Sequence, residues 1–221
     1  MKTITKLLAA TAFALSMSAA SAQAAIFVGY SLDGGATINT VLVDPDDGTY
    51  SWAGANLGGF ETITVDGHGD EVPALLHSDT VTVNASGAAN LTIFITRTDL
   101  SAPDYHGFFS GFSGNTQFGD NYTVTMSTLF DAGNGQYTGS LLRTVTYTGF
   151  GADSDNFYDV GYDLSGTFSV THRYDISTAR GGSTSPSIVL GAVPEPATWA
   201  LMIMGFGGAG AMLRRRRAAF A

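Results

Sequence analysis

From residue 25 to residue 193 apolar and polar side chains alternate over short stretches, and no ten-residue window carries the spacing of an amphipathic helix. Val81, Val83 and Ala85 alternate with Thr80, Thr82 and Asn84; after a Ser-Gly-Ala-Ala loop, Leu91, Ile93 and Ile95 alternate with Thr92, Thr96 and Thr98. This pair predicts a β-hairpin. A second hairpin is predicted from Tyr122, Val124, Met126 and Phe130, an Asn134-Gly135 turn, and Val145 and Tyr147, because Asn-Gly suits the positive-φ geometry of tight turns. A long strand is predicted over 164–174, with Phe168, Val170, His172 and Tyr174 inward and Thr167, Ser169, Thr171 and Arg173 outward. Shorter strands are predicted at 26–31, 37–43, 60–65, 105–109 and 187–190. Residues 177–186, rich in Ser, Thr and Gly, read as a flexible spacer or as a loop, and the apolar Ser187-Ile188-Val189-Leu190 that follows favours the loop. Regularly spaced short strands with glycine-rich turns predict an all-β fold, an antiparallel β-sandwich of jelly-roll type rather than a closed barrel.

The two ends break this pattern. Lys2 and Lys6 precede an apolar stretch from Leu7 to Leu15, small residues follow, and Ala22-Gln23-Ala24 fits a small-x-small cleavage pattern. Residues 1–24 therefore read as a signal peptide cut after Ala24, with Ala20-Ser21-Ala22 as the competing site. At the other end, Pro194-Glu195-Pro196 precedes an apolar run, Ala197 to Leu213, and then Arg214, Arg215, Arg216 and Arg217. The prolines place a helix start near Ala197. At a rise of roughly 1.5 Å per residue the run covers about 25 Å, slightly under a hydrocarbon core of about 30 Å. A transmembrane helix over 197–213 is expected, with Trp199 at the interface. The four arginines are costly to carry across a bilayer, so the body lies outside and this end stays in the cytoplasm. Gly205, Gly207, Gly208 and Gly210 thin the helix and permit close approach by another.

Pro194-Glu195-Pro196-Ala197-Thr198-Trp199-Ala200, then Gly205-Phe206-Gly207-Gly208-Ala209-Gly210, then Met212-Leu213 and the arginine block resemble the PEP-CTERM sorting domain of Gram-negative bacteria in its tryptophan-containing form. The resemblance implies processing by an exosortase, a membrane-embedded cysteine transpeptidase-like enzyme, at or near the Pro-Glu-Pro. It also implies export through the general secretion machinery, transient anchoring in the inner membrane, and release to the cell surface or medium of a bacterium that makes exopolysaccharide. It covers the tail alone and carries nothing about the fold upstream.

Removing both signals changes the charge. Of 19 acidic residues only Glu195 lies outside the body, whereas six of the ten basic ones do, so the body holds 18 acidic groups against Arg97, Arg143, Arg173 and Arg180, a net of about −14. Nucleic acid is excluded as a partner, because phosphate neutralisation needs clustered basic side chains. The chain has no cysteine, so a body exported to a disulfide-permissive compartment must be stable by packing alone. Its length suits a single domain over 25–193.

Candidate chemistry in the body is sparse. Asp66-Gly67-His68-Gly69-Asp70-Glu71 gathers possible ligands in one glycine-rich stretch, so Asp66, Asp70 and Glu71 are metal candidates there, against the plain reading of a solvated turn. Asp153, Asp155, Asp159 and Asp163, with Asn156, form a second acidic stretch with spacings that Ca²⁺ could use, although it lacks the glycine and distal glutamate of an EF-hand; a plain acidic loop is the alternative. Asp44-Pro45-Asp46-Asp47-Gly48 is a turn. His68, His77, His106 and His172 lack the pairwise spacing of a zinc site, and His172 reads as a core histidine. No resident cofactor is indicated beyond that possible calcium.

No catalytic residue is assigned. Gly111-Phe112-Ser113-Gly114 lacks nucleophile-elbow spacing, and nothing places Glu61 and Glu71 across a cleft. Tyr105, Phe108, Phe109, Phe112 and Trp52 fall near Gly/Ser-rich segments, where aromatics serve either as half-buried plugs or as a platform for sugar rings. The expectation is a non-enzymatic structural or interaction protein of the cell envelope or extracellular matrix, associated with exopolysaccharide or biofilm. A carbohydrate-binding module of the same matrix is the alternative, and a secreted hydrolase comes third.

Overall fold

Residues that alternate in polarity put one side of each strand into a shared interior, and in the computed structural model, which describes residues 24–45, 48–70, 72–118, 122–194 and 196–218, those strands form two facing antiparallel sheets. The strands are β1 Ile26–Ser31, β2 Asn39–Asp44, β3 Thr49–Leu57, β4 Phe60–His68, β5 Ala74–Ala85, β6 Ala89–Leu100, β7 Gly107–Phe118, β8 Tyr122–Asp131, β9 Ser140–Thr148, β10 Gly151–Val160, β11 Phe168–Thr178, β12 Gly182–Thr184 and β13 Ser187–Val193. The first sheet runs β2-β1-β6-β11-β8-β9, and the second runs β10-β7-β12-β5-β4-β3. β13 continues from β12 in the slot between β5 and β7. Val28, Ile93, Ile95, Val124, Met126, Val170 and Ile176 of the first sheet share one core with Ile63, Val65, Val81, Val83, Phe108, Ile188 and Leu190 of the second.

Several sequence expectations change in the fold. β5 and β6 are not a hairpin: they lie in different sheets, the chain crossing the sandwich between them. Both edges of β5 are taken by β4 on one side and β12 and β13 on the other, while β6 is flanked by β1 and β11. Alternation looks the same in a hairpin and in a crossing, because in both the apolar side faces inward. β8 and β9 do pair, yet through the eight-residue connection 132–139 rather than a two-residue turn. Asn134 there takes φ 58°, and its side-chain amide donates to Asp99 Oδ1 at 2.8 Å. The connection folds back over the first sheet: Ser169 Oγ donates to the Gly135 carbonyl at 2.6 Å and the Tyr137 amide donates to Thr96 Oγ1 at 3.1 Å. Ser169 and Thr171 are thus buried on the outward side of β11, where the alternation placed them in solvent.

β11 begins and ends four residues later than the predicted 164–174 strand, and β7 runs well past the predicted 105–109, so Gly111-Phe112-Ser113-Gly114 lies inside a strand. The 177–186 segment contributes β12 to the second sheet. β3 and β10 carried no strand prediction; the acidic 153–160 stretch expected as a loop is an edge strand. The helix α1, Pro196–Ala218, begins at the second proline and runs through the arginine block. Among the described residues no helix is long and apolar enough to cross a membrane; the apolar run of seventeen residues is interrupted by four glycines and stops at Arg214. The signal peptide lies outside the described residues except for Ala24, as do Asp46 and Asp47 of the β2–β3 turn.

A candidate binding face on the second sheet

Strand register lines up three outward rows across β10, β7 and β13. Tyr158, Phe109 and Gly191 form one row; Asn156, Gly111 and Val189 the next; Ser154, Ser113 and Ser187 the third. The middle row continues through His77 of β5 to His68 of β4. Phe108 and Phe112, at the intervening positions of β7, point into the core, which fixes Phe109 and Gly111 outward.

Tyr158 is 68% exposed and leans on half-buried Phe109, ring centroids 5.2 Å apart at 47°. Gly111 keeps the floor beside them low: a Cβ there would stand 3.0 Å from Asn156 Oδ1 and 3.3 Å from the Phe109 ring. Ser113 Oγ and Ser187 Oγ are 2.8 Å apart and exposed at the rim. Two shallow, open hollows flank the aromatic pair. One, of about 230 Å³, is lined by Phe109, Gly111, Phe112, Ser113, Ser154, Asn156, Ser187 and Val189. The other, of about 350 Å³, is lined by Pro73, Ala74, His77, Phe109, Tyr158, Val189, Gly191, Ala192 and Val193. Phe109 and Val189 belong to both, so the hollows are the two sides of one low ridge. A surface with exposed π-faces beside hydroxyl and amide groups offers what an extended neutral polymer needs: flat apolar contact and a few directional hydrogen bonds. Among the described residues no carboxylate lines either hollow.

At the far end of the middle row the register slips between Asp66 and His68, and this bulge sets His68 directly opposite His77. Their rings lie 4.6 Å apart. Asp79 follows His77 by two positions on the same side of β5, and its Oδ2 is 2.8 Å from His68 Nδ1; Asp70 Oδ2 is 3.1 Å from His68 Nε2. Gly67 is required between them, since a Cβ there would fall 2.2 Å from the His77 carbonyl and 2.3 Å from the Tyr50 hydroxyl. That hydroxyl donates to the same carbonyl at 2.8 Å. Arg97, buried at the end of β6, donates to the carbonyls of Asp70 and Leu75 and so pins both ends of the β4–β5 connection. Partial burial, seconded by repulsion from His68, holds the His77 imidazole below its ordinary range, with Asp70 and Asp79 acting the other way.

The residues singled out from sequence fall in different places. Asp70 joins the His68 cluster, Asp66 sits one step back along β4, and Glu71 lies outside the described residues. Asp153, Asp155 and Asp159 are strung along β10 on the side away from Tyr158; Asp155 accepts from the Tyr147 hydroxyl at 3.1 Å, and Asp159 pairs with Arg143 at 2.6 Å. His172 is fully buried, with Nδ1 2.5 Å from Ser78 Oγ and, among the described residues, no partner for Nε2. Of the aromatics, Phe108 and Phe112 are core, Tyr105 packs against it, and Trp52 stacks on Tyr30 at 6.1 Å. The sequence singles out neither Tyr158 nor Asp79; it offers Asn156 only as part of the acidic stretch, and it sets His77 aside because the four histidines lack the spacing of a zinc site. Tyr158 and Asn156 fall in an acidic stretch that reads as a loop, where side-chain direction has no period. The His77-x-Asp79 alternation was visible, but its partner His68 comes from another strand.

Of the sorting residues, Pro194 directly follows β13 and is half-buried, Glu195 is outside the described residues, and Pro196, Trp199 and Arg214 to Arg217 fall within α1. Residues 192–217 match the PEP-CTERM protein-sorting motif, as the resemblance implied. No curated protein matches the chain. Among solved structures, the chain is similar to TmCBM61 in complex with β-1,4-galactotriose, at 11% identity and TM-score 0.34, over 52% of this chain and 70% of that one. It is similar to a CBM4 structure at 8% identity and TM-score 0.35, over 66% and 88%. It is also similar to the enzymatically active domain of bacteriophage CBA120 tailspike protein 4, at 12% identity and TM-score 0.37, over 66% of this chain and 19% of that one. Likeness at this level brings no site residue of those proteins onto this chain.

Proposed function

We propose that the chain is an exported, exosortase-processed protein of the cell envelope or extracellular matrix, and that its sandwich is a non-enzymatic module holding a polysaccharide along the outer face of β10, β7 and β13. The sorting motif at residues 192–217 supports the export half of this reading. Within it, α1 is held transiently in the inner membrane with the arginines inside, until cleavage near Pro194-Glu195-Pro196 frees the body.

One observation carries the binding half: the exposed Tyr158 ring set against Phe109 on a glycine-lowered floor, with Asn156, Ser154, Ser113 and Ser187 beside it. An aromatic exposed to this extent, in a row with hydroxyl and amide groups, gives a sugar ring a stacking plane and hydrogen-bond partners at one height. The acidic body, short of basic groups, suits a neutral glycan better than a polyanionic one.

The test is affinity electrophoresis of the purified body through gels containing neutral exopolysaccharide from the producing bacterium, comparing the natural protein with Tyr158→Ala and with Tyr147→Ala on the other side of β10. Retardation lost in the first and kept in the second is the expected result. Equal mobility of all three with and without polysaccharide would leave a structural protein with no glycan site on this face.

A further inference from the structure

We infer that His68, His77 and Asp79 form a binding site for a divalent transition metal, zinc foremost, with Asp70 as the carboxylate that orients His68. Side-chain ligand atoms of the three residues already lie within 4.8 Å of one another. A tetrahedral zinc with bonds of about 2.0–2.1 Å needs donors about 3.4 Å apart, so closure asks only for small rotations of side chains on a solvent-facing surface. Two strands supply the set: His77 and Asp79 lie on one side of β5, and the bulge in β5 sets His77 across from His68 of β4.

Ion pairing alone accounts for only part of this arrangement. A protonated His68 between Asp70 and Asp79 would be satisfied without His77, yet the His77 ring is packed 4.6 Å from the His68 ring, bringing a second nitrogen donor to the same place. Two imidazoles and one carboxylate are a borderline-soft donor set, which suits zinc, copper or nickel and suits calcium or magnesium poorly. With Nδ1 of His68 on the metal beside Asp79, Nε2–H remains to donate to Asp70 Oδ2, the carboxylate–histidine–metal arrangement that fixes ring orientation. Arg97 and the Tyr50 hydroxyl hold the backbone under this set through the carbonyls of Asp70, Leu75 and His77. Three protein ligands on an open surface leave a fourth position for water or an exogenous donor.

The experiment uses tag-free exported protein, with no sugar present, dialysed against ZnCl₂ and assayed for bound metal. Cobalt(II) substitution is read in parallel through its visible absorption. One equivalent of zinc and the absorption of a four-coordinate cobalt site are expected for the natural protein and for His106→Asn, which lies outside the cluster. His77→Ala and Asp79→Asn are expected to weaken zinc at least tenfold, and Asp70→Asn to weaken it by about 10- to 100-fold at unchanged stoichiometry. Far-ultraviolet circular dichroism confirms that each variant is folded. Zinc bound at less than a tenth of an equivalent by the natural protein, or full binding retained by folded His77→Ala, would overturn the assignment.

Discussion

His172 Nδ1 lies 2.5 Å from Ser78 Oγ, and this contact joins β11 of one sheet to β5 of the other through the middle of the core. Both residues are fully buried. Among the described residues the neighbouring Tyr174 hydroxyl has no hydrogen-bond partner. Ser78→Ala would strand the second ring nitrogen of His172 beside the already unpartnered Nε2. The expected cost is about 1–3 kcal/mol, read as a lower urea midpoint at unchanged slope; a shift within error would mean that the contact contributes nothing to stability.

Burial, with a smaller contribution from His77, holds the His172 imidazole down to about 3, against an ordinary value of 6.5. The unfolded chain takes up this proton near 6.5 and the folded one does not until near 3. Between those values the unfolded state binds more protons, so stability falls as pH falls, by up to about 1.4 kcal/mol per pH unit. Urea unfolding at successive pH values above 4.5, where most carboxylates stay ionised, measures the slope. His172→Gln should flatten it by up to one proton's worth, and an unchanged slope would remove His172 as its source.

Arg97 is a buried cation that holds two backbone carbonyls at the ends of the β4–β5 connection. Arg97→Met keeps most of the packing volume and removes those donors. A loss of about 2–3 kcal/mol is expected, together with faster amide exchange across 68–75. Exchange there as slow as in the natural protein would show that the connection is held by other contacts.

The acids of β10 are expected not to bind calcium. Ca²⁺ takes six to eight oxygen ligands, and one side of this strand offers only the carboxylates of Asp153, Asp155 and Asp159 in a line. Asp155 and Asp159 are moreover engaged with Tyr147 and Arg143. The thermal midpoint in about 5 mM CaCl₂ should equal that in EDTA, since a ligand that binds the folded state must raise it. A rise with Ca²⁺ that Asp155→Asn abolishes would contradict this.

Intact-mass spectrometry of the protein from native cells and medium is expected to give a product that starts near Ala25 and ends near Pro194, replaced by a tail-bearing, membrane-held form in a strain without exosortase. Replacing Arg214 to Arg217 by alanine should reduce the processed product, because the basic stop sets the orientation of α1. The same tail-bearing species in both strains would rule out exosortase processing.

The tail was legible because its meaning lies in linear order: Pro-Glu-Pro, an apolar run and four arginines in sequence are themselves the signal, and residues 192–217 match it. The class of the body was legible for a related reason. Alternation at Val81, Val83 and Ala85, or at Phe168, Val170 and Tyr174, states which side of a strand faces the core. Alternation is silent about the partner across the backbone. It could not tell that β5 and β6 part into separate sheets, that β10 is a strand whose apolar side chains are mostly on show, or that residues 132–139 fold over Ser169 and Thr171.

The candidate sites belong wholly to that second category. Tyr158 meets Phe109, and His68 meets His77, through backbone pairing between strands. The second of these depends on an extra residue in β5, where Ser78 and Asp79 oppose the single Gly67 of β4; without that bulge the period of two would turn His77 toward the core. Sequence alone determined the sorting motif and a cysteine-free, strand-rich body, because these rest on composition and local order. Only the tertiary structure decided which side chains share a surface, because in a sheet that is set by strand order and register, and contacts between distant segments fix both.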